Sequence, residues 1–368
     1  MILKRIDILN YKNIPEAGLE FSEGVNCLLG MNGMGKSNLL DAIHMLCMAR
    51  PMTSVPDSSL IRHGEDMLLV KGGFLSDSGA EDLISCGISK GKRKSLKRNG
   101  KEYSKLSEHI GRYPVVTVTP DDSRIVNGGG EERRKLMDMV ISQARPDYLG
   151  ALIRYNRGLD SRNKMLRAGV KDALLYESIE TAMAESAAII HATRSEWVAA
   201  MAPIVEETYS RLSGHSEHTE ICYRSQLNES DLHHVIDSRR AKDHMLGFTS
   251  GGTHRDDLEA SLNGYPLKAL GSQGQLKTFS VALRLAIFSY LKKEKGVTPL
   301  LLLDDIFDKL DSRRVANIMN EVSSQADFGQ IFITDTNRKH LDDILSEISG
   351  ERTLISVENG LFSPIKMN

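Results

Sequence analysis

The sequence of 368 residues predicts an α/β protein, in which a mixed sheet with helices is interrupted by an inserted pair of antiparallel helices. A short apolar strand at residues 25–29 precedes a glycine-rich loop and a helix. Two further strands, at 299–303 and 330–334, carry continuous apolar runs at 299–303 and 331–333, which is typical of strands buried on both faces. Residues 131–212 show almost no strand pattern. The sheet is therefore expected to be discontinuous in the sequence.

The first 120 residues are mostly strand-like. Residues 50–66 are irregular, with Pro51, Pro56 and Gly64. The pair Asn99-Gly100 between two apolar stretches predicts a type I′ hairpin. The strands predicted in this part are 2–9 and 18–22 around a turn at Asn13-Ile14-Pro15, 25–29, 67–70, 83–89 and 114–118.

The middle of the chain is predicted to be helical. Apolar residues recur at helical spacing through 131–212, with breaks near Pro146 and at Ala168-Gly169-Val170. Long helices joined by a short break should pack against each other as an antiparallel hairpin. The remaining predicted elements are strand 219–224, helix 228–242, strand 257–262, helix 273–292, strand 299–303, helix 312–326, strand 330–334, helix 338–348 and a strand pair at 352–364.

Composition limits the possible classes of function. Lys and Arg total 47 and Asp and Glu total 49, so a nucleic-acid surface would have to be a local patch. The four cysteines are scattered and predict free thiols in a reducing compartment. Six histidines lack zinc-ligand spacing with cysteine and are expected at the surface, namely His215, His218, His233, His234, His244 and His254. No run approaches a membrane span, and the N-terminus lacks a signal-peptide pattern, so we expect a cytoplasmic protein.

Residues 30–38 carry the most informative motif. Residues 30–37 fit G-x-x-x-x-G-K-[ST], the P-loop pattern, between a predicted strand and a predicted helix. The glycines let successive backbone N–H groups point at phosphate oxygens, Lys36 reaches the β- and γ-phosphates, and the Ser37 hydroxyl can bind Mg²⁺. The predicted ATP-binding residues are Gly30, Met31, Asn32, Gly33, Met34, Gly35, Lys36, Ser37 and Asn38.

A second motif follows the apolar strand at 299–303. Two carboxylates, Asp304 and Asp305, come directly after Leu300-Leu301-Leu302-Leu303, which is the Walker B pattern. Such a strand presents its acids at the carboxyl edge of the sheet, where ligands bind. We expect Asp304 to hold Mg²⁺ together with Ser37. Asp305 is expected to orient or deprotonate the attacking water, so that Asp305 and Lys36 are the predicted catalytic residues.

Residues 271–275 resemble the signature of ABC-type ATPases. They lie about 30 residues before the Walker B strand and open the helix at 273–292. On its own such a segment is an ordinary helix N-cap. The resemblance implies that Ser272, Gln273, Gly274 and Gln275 contact the γ-phosphate of ATP held by a second subunit. Asp311, in Lys309-Leu310-Asp311, resembles the D-loop of the same interface.

Taken together, these motifs resemble the RecF family of bacterial recombination-repair ATPases, which are relatives of SMC-type heads. The resemblance covers nearly the whole chain. It depends on Asn10-Tyr11-Lys12-Asn13, residues 30–38, Pro120-Asp121-Asp122, Arg133-Arg134, Tyr155-Asn156-Arg157, Arg162-Asn163, His254-Arg255-Asp256-Asp257, Ser272-Gln273-Gly274-Gln275 and residues 303–311. Thr253 and Gly271 depart from the usual Pro and Ala, and Thr334-Asp335-Thr336 lacks the histidine of transporter-type ATPases.

The resemblance implies an ABC-type ATPase head, formed by residues 1–122 and 248–368, with a helical insertion at 123–247. It implies ATP with Mg²⁺, slow hydrolysis, ATP-dependent dimerisation and binding to DNA at junctions of single and double strand. It also implies RecR as a partner, with RecO in the same pathway. The predicted function is therefore an ATP-dependent DNA-binding protein of recombinational repair and replication restart.

A basic ribbon surrounds the predicted hairpin at Asn99-Gly100. Its members are Lys90, Lys92, Arg93, Lys94, Lys97, Arg98 and Lys101. Charge alone leaves two interpretations open, a solvated edge that resists aggregation and a ribbon that contacts phosphates. The candidate DNA contacts on the second interpretation are Lys92, Arg93, Lys94 and Arg98.

Other classes of P-loop protein fit the sequence less well. A transporter motor subunit would be shorter and would normally carry Leu-Ser-Gly-Gly-Gln. A small-molecule kinase needs neither a signature helix nor a D-loop, and a structural SMC protein would have a far longer coiled coil. An SMC-like or ABC-type ATPase that does not act on DNA is the alternative that stays open.

Overall fold

The computed structural model describes residues 1–215, 217–306, 317, 329–347 and 351–365. The chain groups into two compact units, Met1–Asp122 with Ile287–Asn368, and Ser123–Ala286. Residues 248–286, which the sequence analysis assigned to the head, group here with the second unit because strand 257–262 pairs with strand 219–224. The division into a head at 1–122 and 248–368 and an insertion at 123–247 stays a prediction.

The described strands and helices are as follows. The strands are β1 Ile2–Tyr11, β2 Ile14–Glu20, β3 Val25–Leu29, β4 Met67–Leu75, β5 Glu81–Ser89, β6 Ser95–Arg98, β7 Lys101–Glu102, β8 Val115–Val118, β9 Thr219–Arg224, β10 Asp257–Leu262, β11 Tyr265–Pro266, β12 Leu300–Asp304, β13 Ile331–Asp335, β14 Arg352–Glu358 and β15 Leu361–Ile365. The helices are α1 Lys36–Met48, α2 Ser123–Asn127, α3 Gly130–Ala144, α4 Pro146–Arg167, α5 Ala173–Ser213, α6 Leu232–Leu246, α7 Leu267–Leu270, α8 Gln273–Lys295 and α9 Arg338–Glu347. The predicted helix at 312–326 lies outside the described residues except for residue 317.

The first unit contains a mixed six-stranded sheet in the order β15-β14-β3-β13-β12-β8. All neighbours in it are parallel except β15, which pairs antiparallel with β14. Every residue of β12 and β13 is buried, which their apolar runs at 300–303 and 331–333 favour, and the polar residues at the ends of both strands are buried as well. The mixed α/β class is confirmed. Because β3, β12 and β13 are parallel neighbours, their carboxyl ends meet at one edge.

The same unit holds a second, antiparallel sheet in the order β2-β1-β4-β5-β6-β7. Asn99 and Gly100 have φ of 52° and 81°, as a type I′ turn requires, so the predicted hairpin is confirmed. The predicted turn at residues 13–15 is wrong at two residues, since the turn lies at residues 12–13 and β2 already begins at Ile14, four residues before the predicted strand at 18–22. Pro15 is tolerated within β2 because β2 is an edge strand, where a missing N–H group need not break a ladder bond.

The second unit is built on the two long helices α4 and α5. Tyr148, early in α4, contacts Arg194 in the middle of α5, and Arg162, late in α4, contacts Glu180 near the start of α5, so the helices run antiparallel. Pro146 is at the start of α4. The first N–H groups of a helix have no partner within the helix, so the missing N–H group of proline removes no helical hydrogen bond there. The predicted helical hairpin is confirmed, and its helix α5 runs unbroken for 41 residues.

We expect a fragment of residues 1–120 not to fold. In the sheet, β8 pairs with β12, while β3 lies between β13 and β14. The fragment would keep β3 and β8. It would lose β12 and β13, which lie between them in the sheet, and β14, the other neighbour of β3, and so it would expose apolar faces to water. Circular dichroism with thermal melting tests this, with the full chain as control. A soluble fragment with a cooperative transition would contradict this architecture.

Candidate active site

The P-loop lies between the end of β3 and the start of α1. Gly33 and Gly35 have φ of 81° and 114°, conformations that side chains with a Cβ rarely adopt. Gly35 is the N-cap of α1, and no side chain of a described residue caps this helix. The N-terminal N–H groups of α1 are therefore left for a ligand, and the helix dipole favours an anion there.

Lys36 lies folded over the loop. Its Nζ donates to the carbonyl oxygens of Gly30 at 2.7 Å and Met31 at 3.1 Å. Burial lowers the pKa of Lys36, and the carboxylates of Asp305, Asp304 and Asp335 act in the opposite direction. From its hydrogen bonds to two carbonyl oxygens, the buried ammonium group of Lys36 can move onto phosphate oxygens.

Asp304 ends β12 at the edge of the sheet beside the P-loop. One carboxylate oxygen accepts hydrogen bonds from the hydroxyl groups of Ser37 and Thr334, each at 2.8 Å. Burial raises the pKa of Asp304, and Asp305 adds to this, while the two hydroxyl donors act against it. The structure thus brings together Ser37 and Asp304, 267 positions apart in the sequence, as the sequence analysis predicted for a metal site.

Asp305 follows β12 in the left-handed region, with φ of 47°. Its N–H donates to the Thr334 hydroxyl at 2.9 Å, so Thr334 joins both carboxylate residues to the neighbouring strand β13. Sequence reasoning gave Thr334 no role. Only the register that pairs Asp304 with Thr334 reveals it, and register is not visible in the sequence of either strand.

Two further residues at this site were not assigned a role from the sequence. Asp335 ends β13, is 4% exposed and lies within 3.2 Å of the His340 ring. Asn13, in the turn after β1, donates to the carbonyl oxygen of Gly33 at 3.1 Å and accepts from Asn38 at 2.7 Å. Asn13 is part of the motif Asn10-Tyr11-Lys12-Asn13 that supports the family resemblance, but the sequence did not indicate that its side chain contacts the P-loop.

The signature segment forms a capping box at the start of α8. The Ser272 hydroxyl accepts from the N–H group of Gln275 at 3.2 Å, and the Gln275 side chain accepts from the N–H group of Ser272 at 2.7 Å. Gln275 also donates to Glu217 at 2.5 Å. Ser272 and Gln273 are exposed. Their predicted contact with a second subunit's nucleotide stays a prediction, and Asp311 of the D-loop lies outside the described residues.

The basic ribbon divides into paired and unpaired cations. Lys94 is bound to Asp57 at 2.8 Å and to the Ala49 carbonyl oxygen, and Arg98 to Asp82 at 2.9 Å. Lys92 and Arg93 are exposed and have no ion pair with a described residue. Of the four candidate DNA contacts, these two are the ones whose charge faces solvent.

Several residues of the recognised motifs hold the second unit together. Arg162 is fully buried and bonds to Glu180 and Asp243, each at 2.8 Å. Arg194 joins Asp256 at 2.7 Å in a second buried cluster. Buried guanidinium groups need such partners, because an uncompensated buried charge costs several kcal/mol. The same structural role falls to Arg133 with Asp257, Asn163 with Thr249, and Tyr155 with His254.

The fold and the site define the class of the protein. A glycine-rich loop connects β3 to α1, and two acids follow in the strand β12 and directly after it. Because β3, β13 and β12 are parallel, the loop and the acids meet at the carboxyl edge of these strands. This is a P-loop ATPase head of the ABC and SMC type. A family model described as RecF/RecN/SMC N terminal domain matches residues 2–353.

The family follows from a comparison with relatives of full length. The DNA replication and repair protein RecF of Parabacteroides distasonis is 46% identical over 366 residues, covering 100% of both chains. The solved structure of the recombination mediator protein RecF-ATPrS in the RecFOR pathway superposes with a TM-score of 0.88 at 29% identity, over 99% of this chain and 98% of that one. The chain belongs to the RecF family, and it is an ATPase of DNA replication and repair.

A more distant likeness supports the fold alone. The Smc head domain of Pyrococcus furiosus, solved with an extended coiled coil, matches with a TM-score of 0.59 at 18% identity, over 99% of this chain and 95% of that one.

In the part of the chain that is described, no helix is both long enough and apolar enough to cross a membrane.

Proposed function

We propose that this protein is a DNA clamp whose ATP site is completed when ATP brings two copies together. The convergence of the uncapped α1 N-terminus, Lys36, Ser37 and Asp304 is the observation that carries the proposal. These groups supply N–H donors, a cation and hard oxygen ligands, which is what the triphosphate of ATP requires. Binding of ATP by these residues is inferred from this convergence.

We assign a Mg²⁺ site to Ser37 and Asp304. Both offer oxygen ligands, and their side chains lie 2.8 Å apart, within reach of one ion. Mg²⁺ keeps several waters and binds through one or two protein groups together with phosphate oxygens. The described residues accordingly form no cluster of three or more His, Cys, Asp or Glu side chains as an all-protein cage. When bound, the ion would neutralise charge on the phosphate oxygens.

The chemistry of hydrolysis falls to Asp305 and Lys36. Asp305 directly follows Asp304, and its backbone N–H group donates to the Thr334 hydroxyl. This hydrogen bond holds the backbone from which the carboxylate extends at the edge of the sheet. In this position it can orient a water and accept its proton as that water attacks the γ-phosphate. Lys36 stabilises negative charge on the transferred group. Slow turnover is expected, because hydrolysis serves to release the clamp.

The second subunit is expected to supply the signature. Ser272 is exposed at the N-terminus of α8, where its hydroxyl and the helix dipole can meet an anion. We propose that Ser272, Gln273, Gly274 and Gln275 contact the partner's γ-phosphate, with Asp311 crossing the same interface. The γ-phosphate then holds two copies together.

DNA and the partner proteins complete the proposal. The solved RecF with ATPrS is described as a recombination mediator protein in the RecFOR pathway. By family membership, we propose that this chain binds DNA at junctions of duplex and single strand, with RecR as a partner and RecO in the same pathway. An ATPase of this fold that does not act on DNA is the alternative. Binding of the purified protein to single-stranded, duplex and junction DNA, with and without ATP, separates the two.

We expect the double variant Lys92→Glu/Arg93→Glu to weaken DNA binding and to flatten its salt dependence. Each duplex phosphate contact contributes roughly 0.9 to the slope of log K against log salt, so losing two contacts should lower the slope by about 2. Lys94 and Arg98 are left unchanged, because their reversal would break ion pairs within the unit.

The matched control is Arg167→Glu/Lys171→Glu. It exchanges one arginine and one lysine, both exposed and without an ion pair to a described residue, and so changes the net charge equally. A slope that falls equally in both variants would show a bulk-charge effect. A slope unchanged in the ribbon variant would leave the hairpin as a solvated edge.

A further inference from the structure

We propose that the turn of the C-terminal hairpin, Asn359-Gly360 between β14 and β15, is a positioning element for ATP. It holds the P-loop in its phosphate-binding shape before the nucleotide arrives. The inference rests on the ATP site proposed above and concerns a segment more than 320 residues away in the sequence. The predicted motifs gave this hairpin no part in the site.

The hairpin contacts the P-loop at two places. The N–H group of Gly360 donates to the carbonyl oxygen of Met34 at 2.7 Å, and the N–H group of Asn359 approaches the Met34 sulfur at 3.4 Å. Earlier in the loop, a Cβ built on Gly30 would lie 2.3 Å from the carbonyl oxygen of Val357 in β14. The loop therefore lies against the hairpin without room for a side chain at Gly30.

The hydrogen bond to Met34 has a directional consequence. In a trans peptide the C=O and the following N–H group point in opposite directions. Fixing the Met34 carbonyl oxygen on Gly360 therefore turns the N–H group of Gly35 away from the hairpin, and we expect it to face the concave side of the loop. The N–H groups on that side are the ones that receive phosphate in a P-loop.

The turn after β1 also holds the P-loop. Asn13 donates to the carbonyl oxygen of Gly33 at 3.1 Å, so adjacent peptides of the loop are held by different turns. The two turns also touch each other, since a Cβ on Gly360 would lie 2.3 Å from the Asn13 carbonyl oxygen. Gly360 thus has no space for even a methyl group, and displacing it moves the donor of the Met34 hydrogen bond.

A type I′-like backbone aims these donors. Asn359 and Gly360 have φ of 51° and 79°, and both N–H groups point at Met34 as a result. A loop held in its bound shape loses less conformational entropy when the ligand binds. The hairpin should therefore act on ATP affinity and leave the chemical step alone.

The variant Gly360→Ala tests the proposal against Gly79→Ala. Gly79, in the turn between β4 and β5, has φ of 80°, and no described atom lies within 4 Å of a Cβ built there. Both substitutions place alanine in the left-handed region at equal backbone cost, but only the first displaces a neighbour. We expect the KM for ATP to rise about tenfold in Gly360→Ala, the loss expected for one hydrogen bond that orders the loop.

The remaining readouts separate positioning from general instability. The melting temperature should fall in both variants, and further in Gly360→Ala, because only that substitution displaces neighbouring backbone. At saturating ATP, kcat should change in neither variant, and the KM for ATP should stay at its normal value in Gly79→Ala. An equal KM in both variants overturns the proposal. If the unaltered protein itself bound no ATP, the proposed function would fail instead, which is a distinguishable result.

Hydrogen exchange on the unaltered full chain gives an independent test, which holds even if Gly360→Ala does not fold. Coupling between two sites is reciprocal, so ATP should protect the hairpin that positions its loop. We expect ATP to slow exchange in a peptide containing residues 355–365 by more than in one containing the Asn99-Gly100 turn. Equal changes in both hairpins with ATP bound would overturn the proposal.

Discussion

The substitution Lys36→Ala should weaken ATP binding by roughly 10- to 100-fold, as expected for the loss of charge-assisted hydrogen bonds. Lys36 is the cation that the P-loop directs at the β- and γ-phosphates. Without nucleotide its ammonium group donates to the carbonyl oxygens of Gly30 and Met31. Removing it leaves carbonyl groups in a loop where Met31 is 70% exposed, so water can replace the lost donor.

The fold should therefore survive the loss of Lys36. Its side chain bridges no two of the described strands, and the sheet beneath it is held by the pairing of β3 with β13 and β14. Calorimetry with ATP gives the affinity, and circular dichroism gives the fold. The control is Lys71→Ala, an exposed lysine on β4 outside the site. Unchanged ATP affinity in a folded Lys36→Ala protein would remove the P-loop assignment.

Local sequence predicted the parts of this site that depend on local chemistry. Gly33 and Gly35 adopt positive φ, which glycine favours. The apolar strand followed by two acids predicted a buried strand that presents Asp304 and Asp305 at its carboxyl end. Thr334 and Gly360 escaped notice because their roles depend on which strands become neighbours. The pairing of β12 with β13 places Thr334 beside Asp304, and the position of β14 beside β3 brings Gly360 to Met34.

The basic ribbon shows the same limit. Lys94 and Arg98 look like their neighbours in the sequence, but folding brings Asp57 and Asp82 to them from other segments. Charge counts along a chain cannot distinguish a cation that is neutralised across a sheet from one that faces solvent. The boundary of β2 was missed for a related reason, since Pro15 is compatible with a strand only at an edge, and edges are set by topology.

ATP-driven dimerisation should respond in opposite ways to two substitutions. Asp305→Asn keeps the size of the side chain and removes its charge, so ATP should bind and persist, and the dimer should accumulate. Asp305 has φ of 47°, a conformation that asparagine tolerates well, and its N–H bond to Thr334 is preserved. Light scattering with ATP should therefore show a dimer that outlasts that of the unaltered protein.

Ser272→Arg should instead bind ATP and stay monomeric. The arginine side chain would fill the space in which the partner's γ-phosphate meets the N-terminus of α8. Because Ser272 also caps that helix through Gln275, the substitution should lower the free energy of unfolding by about 1 kcal/mol. Ser272→Asn is the control that keeps a capping side chain, and Ser272→Ala is the control that removes the cap without adding bulk.

The comparison of these variants locates the interface. If blocking the phosphate pocket is the cause, Ser272→Arg loses the dimer while Ser272→Ala, equally deprived of its cap, retains more of it. The scheme would be falsified if Ser272→Arg dimerised with ATP as readily as the unaltered protein, since the signature would then not face the neighbour's nucleotide. If the unaltered protein stayed monomeric with ATP at all accessible concentrations, DNA or a partner would have to act as a further ligand of the dimer.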